Sequence, residues 1–179
     1  MAGEHASGDA TVPEMGTLLG PPGGKAVAFL LSQFGAVIAR EFGVAIAPAG
    51  LEPREFALLN VIARAEAPTQ NAIGDQLGIP ASSLVSVIDR LEESGLLERR
   101  TSAEDRRART LHVTEEGRRT LIAAVRLAAE LERRVCADLS PDERAQLLAL
   151  LERVGEQLKV TSGVHPDLPA AFTPQGERA

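Results

Sequence analysis

The clearest hydrophobic pattern in the chain lies between residues 79 and 114. Apolar residues recur there at steps of three and four, which predicts one buried face of a helix; they are Leu84, Val87, Ile88 and Leu91. Pro80 suits the first helical position, and Gly95 suits a left-handed helix end. Two short strands are predicted next, over Leu96–Arg100 and Arg109–Val113. The pattern therefore indicates a helix that runs directly into a hairpin.

Helical periodicity predicts further helices on both sides of this segment. They cover about 25–46, 53–66, 70–77, 115–138 and 141–160. The short helix before Pro80, a glycine-containing turn and the next helix form a helix-turn-helix pattern. Thr114 is a predicted helix cap, and Ser140 with Glu143 forms a predicted capping box. The predicted fold is mainly α with a small β-wing, a winged helix-turn-helix flanked by N- and C-terminal helices.

The flanking helices carry more apolar surface than a small domain can bury. Val27, Phe34 and Ile38 belong to a wide stripe in the first of them. Periodicity alone leaves two interpretations of this helix, a central core helix or one that also packs on a second subunit. We expect a two-fold dimer. The expected division is a flexible tail (1–24), an N-terminal dimerisation helix (25–47), the winged region (48–114), C-terminal dimerisation helices (115–160) and a second flexible tail (161–179).

Charge is unevenly distributed along the chain. The net charge is −6, yet residues 99–112 hold five arginines against Glu104 and Asp105. A locally basic surface can bind a phosphate backbone even when the whole protein is acidic. The single cysteine excludes an intrachain disulfide. Neither a signal peptide nor an uninterrupted apolar run of membrane length is found, so we expect a cytoplasmic protein that does not contact a membrane.

Catalytic and cofactor motifs are not found in the sequence. It contains no nucleophile elbow, P-loop or dinucleotide fingerprint, so we expect a protein that is not an enzyme and has no cofactor. His5, His112 and His165 are too scattered to predict a metal site.

The free face of the helix after Pro80 carries small hydrogen-bonding residues. Ser82, Ser83, Ser86 and Arg90 lie largely off the apolar stripe. Serines are weak helix formers, so they are either ordinary exposed residues or groups that contact DNA bases. Phosphate contacts or local ion pairs are expected of four further arginines: Arg99, Arg100, Arg106 and Arg109. These features predict double-stranded DNA as a partner.

The order of elements and two motifs resemble the MarR family of winged-helix transcriptional regulators. One motif is the wing segment from Glu104 to Gly117, with Asp-x-Arg at the tip and Thr-x-x-Gly after the second strand. The other is the run from Leu91 to Leu97 at the exit of the recognition helix. The resemblance covers roughly residues 25–160 and implies a homodimer on a pseudo-palindromic operator. It also implies a repressor released by a small aromatic or anionic effector.

The resemblance assigns roles within the wing and to a pocket. Asp105 would orient the wing and Arg107 would enter the minor groove, although a solvated loop arginine is the simpler alternative. An effector pocket would lie near the start of the second helix, between it and the first and the long fifth helices. Its candidate lining residues, which are equally core residues, are Phe34, Phe42, Phe56 and Leu59.

Two other functions remain open at this point. The acidic net charge motivates a winged helix that binds protein rather than DNA, and Asp89, Glu92 and Glu93 on the recognition helix point the same way. An architectural binder without sequence preference is less favoured, because the basic stretch is short.

Overall fold

The computed structural model describes residues 26–102 and 108–160. The chain divides into two units, Met1–Arg40 and Glu41–Ala179, and the first helix crosses that boundary. The elements in chain order are α1 (Val27–Ile46), a 3₁₀ helix (Ala47–Ala49), α2 (Pro53–Arg64), α3 (Gln70–Leu77), α4 (Ala81–Glu93), β1 (Leu97–Thr101), β2 (Arg109–Val113), α5 (Glu115–Val135) and α6 (Pro141–Gln157). The predicted class, mainly helical with a two-stranded antiparallel wing, is confirmed.

An aliphatic core joins α2, α3, α4, the wing and the first half of α5. Its largest fully buried side chains are Ile46, Leu58, Leu59, Ile73, Leu84, Val87, Ile88, Leu91, Leu97 and Leu111. Phe42 and Phe56 pack on this core edge to face, with ring centroids 5.4 Å apart. The four apolar positions that the sequence predicted for the buried face of α4 are all in the core.

The turn between α3 and α4 is tight. Gly78 ends α3 with a φ of 66°, and a Cβ on Gly74 would lie 2.8 Å from the Ile79 carbonyl oxygen. Pro80 is the residue before α4 rather than its first residue, because its ψ of 135° is extended. The predicted helix start was therefore one position too early.

The wing strands pair in antiparallel register from Leu97 opposite Val113 to Thr101 opposite Arg109. Strand β1 begins one residue later than predicted, because Leu96 closes the turn that caps the end of α4. Its N–H donates to the Leu91 carbonyl at 2.9 Å. The other strand, β2, has the predicted bounds.

Helix α5 is fastened to the end of α4 by its capping residue. Thr114 Oγ1 accepts a hydrogen bond from the Gly117 N–H at 2.9 Å and donates one to the Gly95 carbonyl at 2.7 Å. Gly117 is buried against Leu96, whose carbonyl oxygen would lie 2.0 Å from an added Cβ. The Thr-x-x-Gly motif of the sequence is therefore a structural joint between the recognition helix, the wing and α5.

Helix α6 begins at the predicted capping box, in which Ser140 Oγ accepts from the Glu143 N–H and the Glu143 carboxylate accepts from the Ser140 N–H. It ends at Gln157 rather than near Val160, because Lys159 adopts a left-handed φ of 56°. Helices α2 and α5 also end two and three residues earlier than predicted.

Much apolar surface of the flanking helices is exposed. No residue of α6 is buried, and its exposed leucines include Leu147, Leu148, Leu150 and Leu151. In α1 only Ile46 is buried. By length and composition alone, the stretch Val27–Ala49 could cross a membrane, with a mean hydropathy of 1.4 over its most apolar window. The stretch is not an uninterrupted apolar run, because Arg40 and Glu41 lie within it.

Candidate nucleic-acid interface

The free face of α4 carries small, polar side chains in the N-terminal half of the helix. Ser82 and Ser86 are exposed and Ser83 is half-buried, while the residues between them on the other face enter the core. An α-helix of this kind fits a DNA major groove, and hydroxyls can pair with base edges there. The predicted serine face is thus available for contact.

Val85 belongs to the same face and was missed by the sequence analysis. It lies between Ser82 and Ser86 and is 41% exposed. An apolar side chain in that place can contact the methyl group of thymine. The signal in the sequence was its position, three residues after Ser82 and off the core stripe.

The structure describes only some of the arginines that were predicted to form a basic cluster on the wing. Arg109 is exposed on β2, and Arg100 is exposed on β1, where it forms an ion pair with Glu98. Asp105, Arg106 and Arg107 lie outside the residues that the structure describes, so the minor-groove contact and the orienting role of Asp105 stay predictions.

Arg99 connects the wing to the recognition helix. Its guanidinium donates to the carboxylates of Asp89 and Glu92, and its backbone N–H also donates to Glu92, at 3.2 Å. Burial acts to lower the pKa of Arg99, but the hydrogen bonds that it donates to Asp89 and Glu92, together with the negative charges of those carboxylates, outweigh burial and raise that pKa. The sequence allowed Arg99 to be a phosphate contact or a local ion pair, and this geometry favours the second.

Arg90 connects the recognition helix to α2. Its Nη2 lies 2.9 Å from Glu52 Oε1 and 2.6 Å from Glu55 Oε1. The hydrogen bond to Glu52 is the main cause that raises the pKa of Arg90, and the same bond holds the pKa of Glu52 below its ordinary value. Arg90 was predicted to contact bases, and no local pattern indicated partners 35 and 38 residues away.

A third hydrogen bond between elements holds the N-terminal end of the recognition helix. Gln70 on α3 donates its side-chain N–H to the Ala81 carbonyl at 2.7 Å. Helix α4 is therefore connected to α3 at its first residue, to the wing near its last turn, and to α2 at Arg90.

These ion pairs change the electrostatics of the α4 surface. Two of the three carboxylates that made the recognition helix look acidic, Asp89 and Glu92, share the single positive charge of Arg99, which offsets one of their two negative charges. Glu93 remains exposed. The field that a phosphate meets at this helix is less negative than the sequence suggested.

The candidate effector residues occupy different environments. Leu59 is fully buried, and Phe42 and Phe56 pack against the core, whereas Phe34 is exposed in the first unit. Within the part of the chain described, two cavities are lined by other residues. One, of about 380 Å³, lies beside the Arg90 ion pairs; the other, of about 640 Å³, lies between the 3₁₀ helix and α5.

Comparison with known proteins identifies the family. The model of the MarR family matches residues 49–108. PecS, a transcriptional regulator of Dickeya dadantii, is 34% identical over 131 residues, which are 72% of this chain and 79% of PecS. The chain belongs to the MarR family.

Other family relatives have similar sequences or folds. A Thauera aromatica protein named as a transcriptional regulatory protein for the hcr operon is 35% identical over 108 residues, 60% of this chain and 65% of that protein. The repressor CouR, solved on a 23-mer DNA duplex, superimposes with a TM-score of 0.64 at 31% identity, over 73% of this chain and 92% of CouR. CouR of Rhodococcus jostii RHA1 bound to p-coumaroyl-CoA gives 0.59 at 28% identity, with the same coverage of both chains.

The part of the chain that matches the family model contains the recognition helix and the residues that hold it in place. Residues 49–108 extend from the end of the 3₁₀ helix to the residue before β2, so they contain α4 and the residues that connect it to α2, α3 and β1. This MarR-family chain is a winged-helix, DNA-binding regulator of transcription, and its relatives are regulators rather than enzymes.

Proposed function

We propose that this MarR-family protein is a cytoplasmic, homodimeric repressor that binds a pseudo-palindromic operator and is released by a small-molecule effector. The observation that supports it best is the exposed Ser82–Val85–Ser86 face of α4, held in place beside an arginine-bearing wing. Independent support for the repressor role comes from the similarity to CouR, a transcriptional repressor solved on a DNA duplex.

The proposed DNA contacts fall into two groups. Ser82, Ser83 and Ser86 contact base edges in the major groove, where the first residues of a recognition helix usually lie. The wing contacts the neighbouring backbone and minor groove through Arg106, Arg107 and Arg109, with Asp105 orienting the tip. A guanidinium suits a narrow minor groove, because negative potential is concentrated there.

The dimer is proposed to form through 25–47 and 115–160. Leu147, Leu150 and Leu151 of α6 are 40–48% exposed, and an apolar surface of this kind needs a partner in a soluble regulator. A second subunit would cover this surface of α6. It would also cover the apolar surface of α1, which by composition alone could otherwise be explained by a membrane. Two-fold symmetry then sets two recognition helices one DNA turn, or a multiple, apart.

The effector is proposed to bind the groove between the 3₁₀ helix and α5. Pro48, Ala49 and Leu127 supply apolar lining. Arg126 and Arg133 lie at the rim with Glu130, which pairs with Arg133, so the rim carries one net positive charge. Its volume of about 640 Å³ lies within the usual range for small-molecule sites, about 300–1,000 Å³. An aromatic anion suits this lining, and the relative CouR was solved bound to p-coumaroyl-CoA.

A protein-interaction role without DNA binding is the alternative. It rested on the net charge of −6 and on the acidic residues of α4, and the ion pairs of Asp89 and Glu92 with Arg99 weaken the second reason.

The test is a fluorescence anisotropy titration of the protein against the DNA upstream of its own gene and against a scrambled duplex. We expect salt-sensitive binding to the upstream duplex, at least about a hundredfold tighter than to the scrambled one. Equal weak binding to both duplexes would favour an architectural role. No binding at low salt would favour the protein-interaction role.

A further inference from the structure

We infer that Arg90 is a positioning residue that fixes the recognition helix on α2 through Glu52 and Glu55, and that it does not contact DNA bases. This inference rests on the proposed DNA-binding function. It also makes an unusual prediction, that removing a negative charge from this site weakens DNA binding.

The first reason is the state of Glu55. This residue is 6% exposed, so its carboxylate needs partners inside the protein. Its Oε1 accepts from Arg90 and its Oε2 accepts from the Glu52 N–H at the start of α2. Arg90 is the only cation bonded to this buried carboxylate among the residues described, so the two side chains constrain each other.

The second reason is the charge around the guanidinium. Two carboxylates bond to one Arg90 nitrogen, and Glu52 also bonds to Arg54 at 2.9 Å, so these two arginines and two carboxylates have no net charge. A phosphate that approached Arg90 would meet no net positive charge, and it would have to displace a carboxylate from Nη2. An arginine that reads DNA needs its donors directed outward, whereas the bonds observed here direct Nη2 toward α2.

The third reason is the position of Arg90 on the helix. It lies one turn beyond Ser86, toward the end of α4 that is farther from the proposed base contacts. Gln70 holds the opposite end at Ala81. A helix fixed at both ends keeps its angle to the domain, and a small error in that angle displaces every side chain that contacts a base.

Glu55→Gln is the decisive variant, and Glu93→Gln is its matched control. Both remove one negative charge near the end of α4, but Glu93 is exposed and makes no ion pair in the part of the chain described. Simple electrostatics predicts tighter DNA binding for both variants. Positioning predicts that Glu55→Gln loses at least tenfold in affinity for a duplex that the wild type binds specifically, while Glu93→Gln binds equally or more tightly.

Arg90→Met separates positioning from direct contact. A lost phosphate contact reduces the slope of log affinity against log salt by about one, and a lost base contact relaxes preference at one operator position. We expect neither: the slope stays unchanged, and affinity falls alike for all variants of the operator. The Arg90→Met/Glu55→Gln double variant should lose no more than the weaker-binding single variant. Arg90→Lys should recover only part of the loss, because an ammonium lacks the planar fork.

Hydrogen exchange gives a readout that needs no DNA. In Arg90→Met and in the milder Glu52→Gln we expect at least tenfold faster exchange in the last turn of α4, with the core of α2 unchanged. Failure of the wild type to bind any duplex would overturn the proposed function alone, and exchange would still test the positioning role. The inference is overturned if Glu55→Gln binds DNA as tightly as Glu93→Gln, if Arg90→Met lowers the salt slope by about one, or if exchange in α4 is unchanged.

Discussion

Replacing Gly117 by alanine tests the joint between the wing and α5. An alanine Cβ would lie 2.0 Å from the Leu96 carbonyl oxygen and 2.8 Å from Val113 Cγ1. A carbon and an oxygen normally approach to about 3.3 Å, so the two must separate by more than an ångström. The obstacle is backbone, and that carbonyl also accepts a hydrogen bond from the Thr114 N–H at 3.1 Å.

The expected cost follows from three contributions. Alanine favours a helix over glycine by about 1 kcal/mol. Overpacking against an immobile group costs about 3 kcal/mol, the upper end of the usual range. Displacing Leu96 also disturbs the Thr114 cap, which contributes about 1 kcal/mol. The net loss is about 3 kcal/mol, which corresponds to a fall in melting temperature of roughly 6–12 °C for a chain of this size.

The assay is thermal and urea unfolding followed by far-ultraviolet circular dichroism, at one protein concentration because a dimer melts in a concentration-dependent way. Gly155→Ala is the matched control. Gly155 is also helical, but its added Cβ would meet only Val160, at 4.0 Å. Alanine there should stabilise the protein by about 0.5–1 kcal/mol. The account of the joint is wrong if Gly117→Ala melts within about 1 °C of the wild type, or above it.

Two further predictions concern base reading and acid stability. Val85→Ser should reduce the preference for thymine at one operator position by roughly fivefold or more, with the slope of log affinity against log salt unchanged. The measurement is the affinity for a panel of single-base operator variants. If their relative affinities were the same as for the wild type, the prediction would be wrong. The Ser140 hydrogen bonds lower the pKa of Glu143 from its ordinary value of 4.5, so their stabilising effect is present above that pH and is lost as the pH falls through the lowered pKa. Melting temperatures from pH 7 to pH 3 should therefore fall less steeply with acid in Glu143→Gln than in the wild type, and parallel curves would refute this.

The sequence determined the local elements well. The buried face of α4, the capping box at Ser140 and the bounds of β2 follow from residue spacing, because periodicity and caps depend on neighbours within a few residues. The resemblance to the MarR family, which the comparisons confirmed, could also be recognised from the sequence, because its motifs are short contiguous stretches. Helix ends were less accurate, because they depend on single backbone angles such as that of Lys159.

The partners of two arginines are visible only in the tertiary structure. By sequence, Arg90 and Arg99 belong to the basic residues that could contact DNA. Folding places Arg90 beside Glu52 and Glu55, which are more than thirty residues away, and places Arg99 across from Asp89 and Glu92. Ion pairs between elements cannot be derived from periodicity, because it fixes which face of a helix is buried but not what lies opposite that face.

Gly117 shows the same division. The sequence marks it as part of a motif, but only the approach of the Leu96 backbone explains why a side chain cannot be accommodated there. Sequence spacing determines what each element can become. Packing determines which charged and polar groups remain free to meet DNA, because a group bonded inside the protein must give up that bond before it can bind anything else.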